Sequence, residues 1–392
     1  MRYLTGGESH GPCLTAIIEG LPAGLEIQAS DLDRHLARRQ HGFGRGGRMK
    51  IEKDRVEFLS GLRFGRTIGS PLTLQIKNRD WDNWRSLMAP EGSEPPEAVH
   101  LSRPRPGHAD LAGGLKYNLE DLRLVLERSS ARETAIRVAV GSVGRLLLEN
   151  FGVRIYSHVA GIGPVEAAVN GTAIIGLAGM IEESPIHCAD PDAGKKMVLE
   201  IEKARDEGDT LGGIIELVVT GLPPGLGSHV HWDRRLDGRL AAAIMSIQGI
   251  KGVEIGAGFK SAALRGSELH DPIVMEEGSG ISRPSNRAGG LEGGITNGQP
   301  LIIRAAMKPI PTLASPLPSI DWKTGEQAAG ATERSDVCAV PSAAVVAEAA
   351  AAWELASAFR EKFGGDFMEE VEAACNFYMR HVKRRLRQEP GE

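Results

Sequence analysis

Two stretches rich in β-branched and other apolar residues, 13–19 and 214–220, predict strands, and both run into the same turn. Residues 20–25 read Gly-Leu-Pro-Ala-Gly-Leu, and residues 221–226 read Gly-Leu-Pro-Pro-Gly-Leu. Glycine and proline at this spacing are typical of a tight turn, because glycine tolerates positive φ and proline restricts φ. The pattern therefore predicts a strand followed by a turn in each half of the chain.

The similarity continues beyond the two turns. Asp33-Arg34-His35-Leu36 is matched by Asp233-Arg234-Arg235-Leu236, and each copy predicts a helix at this point. The alternative is chance similarity of a common turn, but matched segments on both sides of the turn favour a duplication. We expect a single domain over residues 1–392, built from two related halves of about 1–200 and 201–392.

Three polar residues stand at predicted helix starts: Ser30, Ser130 and Asp366. The first two are followed three positions later by an acidic residue, which is the capping-box pattern. We expect helices over about 31–40, from Ser130 to about residue 150, and from Asp366 onward.

The Ala- and Val-rich run 342–358 is apolar on almost every side and predicts a buried helix. Residues 78–106 are rich in Pro, Asp, Glu and Ser, and residues 264–300 are rich in glycine, so both predict long loops. Loops of this length in a compact protein are usually functional or disordered. The basic stretch 380–387 is expected to be a solvated helix end.

Glycine is the outlier in composition, with 49 of 392 residues against about 7% in an average protein. The net charge of −5 gives no overall cationic field for nucleic acid. The four cysteines form no Cys-x-x-Cys pair, so neither a structural zinc site nor another metal is expected. No apolar run approaches the roughly 18 residues of a membrane span, and the N-terminus has no signal-like apolar core. These features favour a cytoplasmic protein with no membrane partner.

The segment 34–50 contains six cationic side chains and no acid. One interpretation is a solvated basic face. However, Arg39 shares the helical stripe of Leu32 and Leu36, so it is expected to point inward. A buried guanidinium is costly without an anion, and no acid is close in sequence. The glycine-rich residues that follow, 42–48, can approach a ligand closely, so a bound anion is the second interpretation.

Arg132 presents the same choice at the start of the helix predicted from Ser130. It lies in phase with the apolar positions of that helix, and free amides at a helix N-terminus attract anions. An ordinary cap beside a surface arginine is the alternative interpretation.

His10 and His108 each follow a turn rather than lying on a helix stripe, and histidine is the usual general acid near neutral pH. A structural role is the alternative for each of them.

Lys308 and Thr312 combine a cation and a hydroxyl on a stiff proline-rich backbone that suits phosphate. Residues 334–336 form either a surface cap or a pocket wall. The Gly-Lys-Ser/Thr of a P-loop and a Gly-x-Gly-x-x-Gly after a strand are both missing. The residues thus predict an enzyme or a binding protein for a polyanionic small ligand.

Several long motifs resemble the chorismate synthase family over all of the chain except its C-terminal tail. They are Gly7-Glu8-Ser9-His10-Gly11, 44–52, Arg105-Pro106-Gly107-His108-Ala109-Asp110, 128–134, Ile250-Lys251-Gly252-Val253-Glu254, 286–299, 308–312 and Arg334-Ser335-Asp336-Val337-Cys338.

The resemblance implies an α+β fold with helices sandwiched between antiparallel sheets, assembled as a homotetramer. It implies the last step of the shikimate pathway, in which 5-enolpyruvylshikimate 3-phosphate loses phosphate and a ring hydrogen by 1,4-anti elimination to give chorismate. It also implies reduced FMN as cofactor without net redox change, with NADPH as a possible reductant of the flavin.

The resemblance further implies roles for individual residues. The anions of the substrate are bound by Arg39, Arg45, Arg48, Arg105, Arg132 and Arg334. His10 protonates the flavin, His108 protonates the departing phosphate, and Asp336 accepts a proton relayed from flavin N5. FMN contacts Ser130, Ala131, Arg132, Gln248, Gly249, Gly293, Lys308, Pro309, Ile310, Pro311, Thr312 and Arg334. The resemblance also implies that Arg39 and Arg45 contribute to binding of NADP and of the FMN cofactor.

Two other classes of function compete with this hypothesis. A non-catalytic module that binds a phosphorylated metabolite or a flavin would explain the arginines, but not the two loop histidines together with Asp336. A nucleic-acid binder that uses residues 34–50 would lose affinity steeply with salt, whereas a pocket would show competition by small molecules.

Overall fold

The computed structural model describes residues 1–46, 53–96, 98–277, 280–333 and 335–387. Its strands are β1 Arg2–Gly6, β2 Cys13–Glu19, β3 Val56–Ser60, β4 Leu62–Arg63, β5 Arg66–Thr67, β6 Leu72–Lys77, β7 Arg154–Ile162, β8 Val165–Glu166, β9 Gly213–Thr220, β10 Ile250–Ile255, β11 Val274–Glu276, β12 Gly280–Ser282, β13 Leu291–Glu292, β14 Ile295–Thr296, β15 Leu301–Met307, β16 Pro318–Ile320 and β17 Gln327–Ala329. Its α-helices are α1 Ala29–Gln40, α2 Trp81–Trp84, α3 Asp110–Tyr117, α4 Arg123–Ser129, α5 Thr134–Glu149, α6 Ala178–Glu183, α7 Pro191–Asp206, α8 Leu236–Met245, α9 Gly266–Leu269, α10 Val340–Phe363 and α11 Met368–Arg385.

Two antiparallel sheets organise the chain, and the fold is of the mixed α+β class. The first has the strand order β1-β2-β6-β3, and the second has the order β10-β15-β9-β7-β8. The strands predicted over 13–19 and 214–220 are confirmed as β2 and β9, each at the centre of one sheet. Both sit between two partners, which is where runs of β-branched residues pack best.

The strands of the first sheet alternate between a buried and a solvent-facing side. In β2, Leu14, Ala16 and Ile18 are buried, whereas Ile17 is half exposed. Successive side chains of a strand point to opposite faces, so this alternation turns one face of the sheet toward the core. Pairing of Ile18 with Leu72 on β6 aligns the buried positions of the two strands.

The long helices pack on the buried faces of these sheets. Helices α1 and α5 contact the first sheet, α8 and α10 contact the second, and α5 crosses α10 closely. At the crossing, a Cβ atom on Gly141 would lie 2.2 Å from the carbonyl oxygen of Ala349. Small residues on both helices therefore allow their backbones to approach.

The buried helix predicted over 342–358 is confirmed as α10, which is longer at both ends. Its apolar stretch is long enough to cross a membrane, but 89% of that stretch is buried inside the protein. Since the surrounding helices and sheet cover it, α10 is a core helix.

The two Gly-Leu-Pro turns have the same hydrogen bonds. In the first turn, Thr67 Oγ1 accepts from Leu25 N at 2.9 Å and donates to Pro22 O at 2.6 Å. In the second, Thr296 Oγ1 accepts from Leu226 N at 2.8 Å and donates to the corresponding proline carbonyl at 2.7 Å. These threonines lie in β5 and β14, so an equivalent hairpin supports each turn.

The structure corrects two of the predicted helix starts. Ser30 lies inside α1, and the cap is Gln28, whose backbone N–H donates to Asp31 Oδ2 at 3.0 Å. Asp366 precedes α11 without capping it, and its own amide donates to Glu370 Oε2 at 2.7 Å. Both helices start one or two residues away from the predicted residue, so the hydroxyl or carboxylate does not face the free amides.

The predicted loop over 264–300 is also corrected, since it contains the hairpins β11–β12 and β13–β14 and the short helix α9. Gly293 and Gly294 have φ of 60° and 80°, the conformation that a two-residue hairpin turn requires. The glycines that suggested a loop therefore form a tight turn. The loop over 78–106 is interrupted by α2 among its described residues.

Candidate active site

Arg39 lies on the inner face of α1 and is buried, as its place in the apolar stripe predicts. Its Nε donates to Thr134 Oγ1 at 2.9 Å, and its Nη2 donates to Ala131 O at 3.0 Å. Its Nη1 has no hydrogen-bond partner among the described residues and lies 3.7 Å from Asp54 Oδ2. Burial, the largest cause, lowers the pKa of Arg39 to about 10, although the Asp54 carboxylate acts in the opposite direction.

Arg132 is buried at the start of the helical segment that leads into α5. The predicted cap at Ser130 is confirmed, because Ser130 Oγ accepts from Arg132 N at 3.3 Å. Arg132 Nη1 donates to Asp54 Oδ1 and Oδ2 at 2.7 and 2.8 Å. Its Nε and Nη2 donate to Asn78 Oδ1 at 2.9 and 2.8 Å. The side chain is thus turned inward, and the alternative of a surface arginine is excluded.

Arg45 and Asp336 meet where the glycine-rich loop after α1 contacts the segment before α10. Gly46 N donates to Asp336 Oδ1 at 2.6 Å, and Arg45 Nη1 lies 3.3 Å from Asp336 Oδ2. Arg45 Nη1 also donates to Ser342 Oγ at the start of α10. A Cβ atom at Gly46 would lie 2.9 Å from Ser335 O, so glycine permits this close approach. Asp336 therefore holds the glycine-rich loop against the segment before α10.

The prediction of a bound anion at Arg39 rests on the absence of a nearby acid in sequence, but the fold supplies acids to Arg39 and to other predicted anion ligands. Asp54 pairs with Arg132, Asp336 pairs with Arg45, and Asp110 pairs with Arg105 at 2.8 Å. Asp54 and Asp336 come from segments distant in sequence from their partners, so inspection of 34–50 could not find them. Two further predicted ligands, Arg48 and Arg334, lie outside the described residues.

His10 is held in the turn between β1 and β2 by a buried glutamate. Its Nδ1 lies 2.8 Å from Glu127 Oε1, and its backbone N–H donates to Glu127 Oε2 at 2.7 Å. Ser9 N donates to Glu127 O at 2.9 Å, while Ser9 Oγ and Ser130 Oγ lie 3.2 Å apart. The ring of Trp84 covers one side of the imidazole, with the two centroids 4.0 Å apart. These contacts fix the position of the turn and the orientation of the imidazole ring.

His108 has the same arrangement in a second loop. Its Nδ1 lies 2.6 Å from Oδ1 of the buried Asp110, which also accepts from Arg105. Burial would raise the pKa of Asp110, but hydrogen bonds from His108 and Arg105 outweigh it and hold that pKa well below its usual range. Arg105 Nη1 also donates to Thr312 Oγ1 at 3.1 Å, which joins this loop to the segment 308–312.

The segment 308–312 follows β15 and contacts both the His108 loop and the residues before β10. Lys308 Nζ donates to Gly107 O, and Lys308 N donates to Gly249 O at 2.9 Å. Gln248 Nε2 in turn donates to Glu133 Oε2 at 3.4 Å, next to the start of α5. Lys308 therefore contacts Gly249 directly, and Gln248 reaches Glu133, the residue that follows Arg132.

Gly293 is the exception among the described ligands. It forms the tip of the β13–β14 hairpin, where the nearest atom to an added Cβ would be His229 Cβ at 3.9 Å. Within the part of the chain that the structure describes, no contact connects it to the other predicted ligands.

Sequence reasoning missed four buried polar residues of the site: Asp54, Asn78, Asp110 and Glu127. Asp110 stands two residues after His108, and that spacing could have predicted a carboxylate next to the imidazole. Asp54, Asn78 and Glu127 lie in separate segments, and only the packing of β6, α4 and the residues before β3 brings them to their partners.

Comparison with known proteins identifies the family. A family model described as chorismate synthase matches residues 1–359. The chain is 58% identical over 383 residues to the chorismate synthase of Moorella thermoacetica, covering 98% of this chain and 99% of that protein. It is 57% identical over 383 residues to the chorismate synthase of Desulforudis audaxviator, covering 98% of each. A solved structure titled "Crystal Structure of Chorismate Synthase" matches with a TM-score of 0.80 and 43% identity, over 98% of both chains. The chain therefore belongs to the chorismate synthase family.

Proposed function

We propose that this chain carries out the chorismate synthase reaction with His10, His108 and Asp336 as its proton-transfer groups and reduced FMN as its cofactor. The activity is that of the last step of the shikimate pathway. In that reaction, 5-enolpyruvylshikimate 3-phosphate loses phosphate and a ring hydrogen by 1,4-anti elimination and becomes chorismate. The observations that support the proposal are the buried Arg39 and Arg132 and two histidines that each meet a buried carboxylate at Nδ1.

The arginine cluster would bind the phosphate and the two carboxylates of the substrate. Arg39, Arg45 and Arg132 are buried or nearly so, and Arg39 Nη1 has no hydrogen-bond partner among the described residues. An arriving anion would give this donor a partner and could share Arg132 with Asp54. Arg105 would support the same pocket from the His108 loop, and Arg48 and Arg334 are proposed as further ligands from the resemblance alone.

The residues near the start of α5 fit FMN. The buried oxygen of Gln248, Oε1, has no hydrogen-bond partner among the described residues, so a donor on a ligand would satisfy it. Lys308 and Thr312 offer a cation and a hydroxyl that suit the FMN phosphate. Ser130 and Ala131 would contact the cofactor at the helix start, together with Gly249 and 309–311. When bound, reduced FMN supplies electron density that no side chain can provide.

Each proton-transfer group has a defined atom and partner. His10 would deliver a proton toward the flavin, with its ring oriented by Glu127 at Nδ1. His108, oriented by Asp110 and next to Arg105, would deliver a proton to the departing phosphate. Asp336 would accept the proton that the resemblance assigns to it from flavin N5, while Arg45 and Gly46 N hold its carboxylate. The surrounding guanidinium groups would stabilise the phosphate as its charge develops.

We further propose that the two sheets and the helices between them form a β-α-β sandwich produced by internal duplication. The equivalent Thr67 and Thr296 contacts support this origin. Assembly as a homotetramer is proposed from the resemblance and is supported by exposed Leu4, Ile17 and Leu59 on the outer side of the first sheet. The proposed location is the cytoplasm, and NADPH is a candidate reductant of the flavin.

An anaerobic assay tests the proposed chemistry. Purified protein, photoreduced FMN and 5-enolpyruvylshikimate 3-phosphate are mixed, and phosphate release is followed against enzyme-free and flavin-free controls. Catalytic phosphate release is expected; tight binding of both molecules without turnover would instead favour a non-catalytic binding module. A second assay with oxidised FMN and NADPH in air measures NADPH loss and reports whether the chain reduces its own flavin.

A further inference from the structure

Asn78 follows the last residue of β6 and lies between two parts of the site that different elements carry. We propose that Asn78 is a positioning residue that fixes the His10 turn relative to Arg132, an inference that rests on the proposed function. Asn78 is buried, and its side chain hydrogen-bonds both Arg132 and the backbone of the His10 turn. Its effect on the reaction would pass through the two residues that it connects.

One side of Asn78 holds the turn that carries His10. Its Nδ2 donates to Gly11 O at 2.6 Å and to Glu8 O at 3.2 Å. Its backbone N–H donates to Pro12 O at 3.1 Å. A single residue thus forms three hydrogen bonds to the backbone of the turn 8–12, on both sides of His10.

The other side of Asn78 holds the Arg132 guanidinium. Asn78 Oδ1 accepts from Arg132 Nε at 2.9 Å and from Nη2 at 2.8 Å. Asp54 takes Nη1 of the same group, so the plane of the guanidinium is fixed from two directions. The orientation of Arg132 therefore depends on an oxygen whose own amide group is bound to the His10 turn.

The chemistry of this position requires a carboxamide. The two donors of Nδ2 face carbonyl oxygens, and the acceptor Oδ1 faces two guanidinium donors. Aspartate would keep the acceptor but would place a second oxygen against the carbonyls of Gly11 and Glu8. Leucine has a similar volume and could form none of these bonds. The two substitutions thus separate the two contacts of Asn78.

The first experiment measures kcat and KM for phosphate release with photoreduced FMN. Asn78→Asp keeps an acceptor for Arg132, so it is expected to lower kcat roughly 10- to 100-fold through the His10 turn, while its added carboxylate competes with substrate anions for Arg132 and raises KM. Asn78→Leu loses both contacts, so it is expected to lower kcat and also to raise KM. Thr67→Val is the matched control, because Thr67 is equally buried and its side chain also hydrogen-bonds the backbone of a turn, but that turn lies outside the site. It is expected to lower the melting temperature comparably and to leave kcat unchanged.

A double-mutant cycle with His10 tests whether Asn78 acts through the histidine. In the His10→Ala background, Asn78→Asp is expected to lower kcat by less than about threefold further, because the group it positions is already missing. Multiplication of the two single effects would overturn the inference, as would an equal loss of kcat in Thr67→Val.

Amide hydrogen exchange gives a readout that does not depend on turnover. Exchange within residues 8–12 is expected to accelerate in both Asn78 variants, while the amides of α10 keep their protection. Unchanged exchange in residues 8–12 would also contradict the proposal. A wild-type protein that releases no phosphate would defeat the proposed function, whereas an active wild type with unaffected Asn78 variants would defeat only this inference.

Discussion

Replacement of Asp54 by asparagine should make the stability of the protein depend on added anions. Asp54 is the buried carboxylate that accepts two hydrogen bonds from Arg132 and lies 3.7 Å from Arg39. Removing one partner of a buried ion pair costs about 3–5 kcal/mol, because the other charge remains buried without compensation. Since asparagine keeps one acceptor oxygen, we expect the lower end, about 3 kcal/mol. At about 2.1 cal/mol/K of unfolding entropy per residue, that loss lowers the Tm of the 392-residue chain by about 4 °C.

An added anion should recover just under half of this loss. In the wild type, sulfate or phosphate competes with Asp54 for the guanidinium groups, whereas in Asp54→Asn that competition is absent. A tenfold tighter anion site in the variant corresponds to about 1.4 kcal/mol of additional stabilisation at saturating anion.

The assay is thermal unfolding at constant ionic strength, with chloride replaced stepwise by sulfate. Asp237→Asn is the control, because Asp237 forms a partly exposed ion pair with Arg235 and should change stability by less than about 1 kcal/mol. Equal sulfate stabilisation of wild type and Asp54→Asn would refute the reasoning, and so would an undiminished Tm of the variant in chloride.

Three further perturbations test other parts of the structure. His10→Ala and His108→Ala should each slow phosphate release roughly 100-fold or more, and wild-type rates in both would reject their roles as acids. Burial, aided by nearby Arg145, lowers the pKa of His35 to about 3, so the unfolded chain binds a proton below pH 6.5 that the folded chain does not. The free energy of unfolding should therefore fall as the pH drops from about 6.5 toward 3. In urea titrations at a series of pH values, the free energy of unfolding of His35→Gln should fall less steeply with decreasing pH than that of the wild type. Gly141→Ala should cost about 1–3 kcal/mol, because its Cβ would overlap the α10 backbone, whereas Gly179→Ala, with open space around it, should be neutral or stabilising in the same denaturation assay.

The elements with a strong periodic pattern were predictable from the sequence. Strands β2 and β9 and the core helix α10 were found because burial on one or all sides leaves a clear apolar pattern. The helix start at Ser130 was found because its hydroxyl caps a nearby amide. The helix starts predicted at Ser30 and Asp366 are wrong by one or two residues. A serine or aspartate inside the first turn, or just before the helix, gives the same local sequence pattern as a true cap.

Only those features of the site that are determined within a single segment were predictable from the sequence. The inward direction of Arg39 follows from the helical stripe of α1, and this was confirmed. Its electrostatic environment was mispredicted because Asp54 and Asp336 reach the cluster only through tertiary packing. A charge pattern in a local sequence window reports the residues of one segment, whereas ion pairing in a core depends on all segments that converge there.

The neighbouring residues Arg38 and Arg39 illustrate why the basic segment is neither a solvated face nor wholly a ligand site. Arg38 donates to the buried carboxylate of Glu348 on α10 at 2.7 and 3.0 Å, and Arg145 on α5 donates to the same group. This network joins α1 to the two central helices. Because consecutive helical residues point about 100° apart, anchoring Arg38 in the core also fixes the direction of Arg39 toward Asp54. The same pair of residues thus serves both the packing of α1 and the geometry of the proposed anion site, and a substitution at Arg38 should disturb both together.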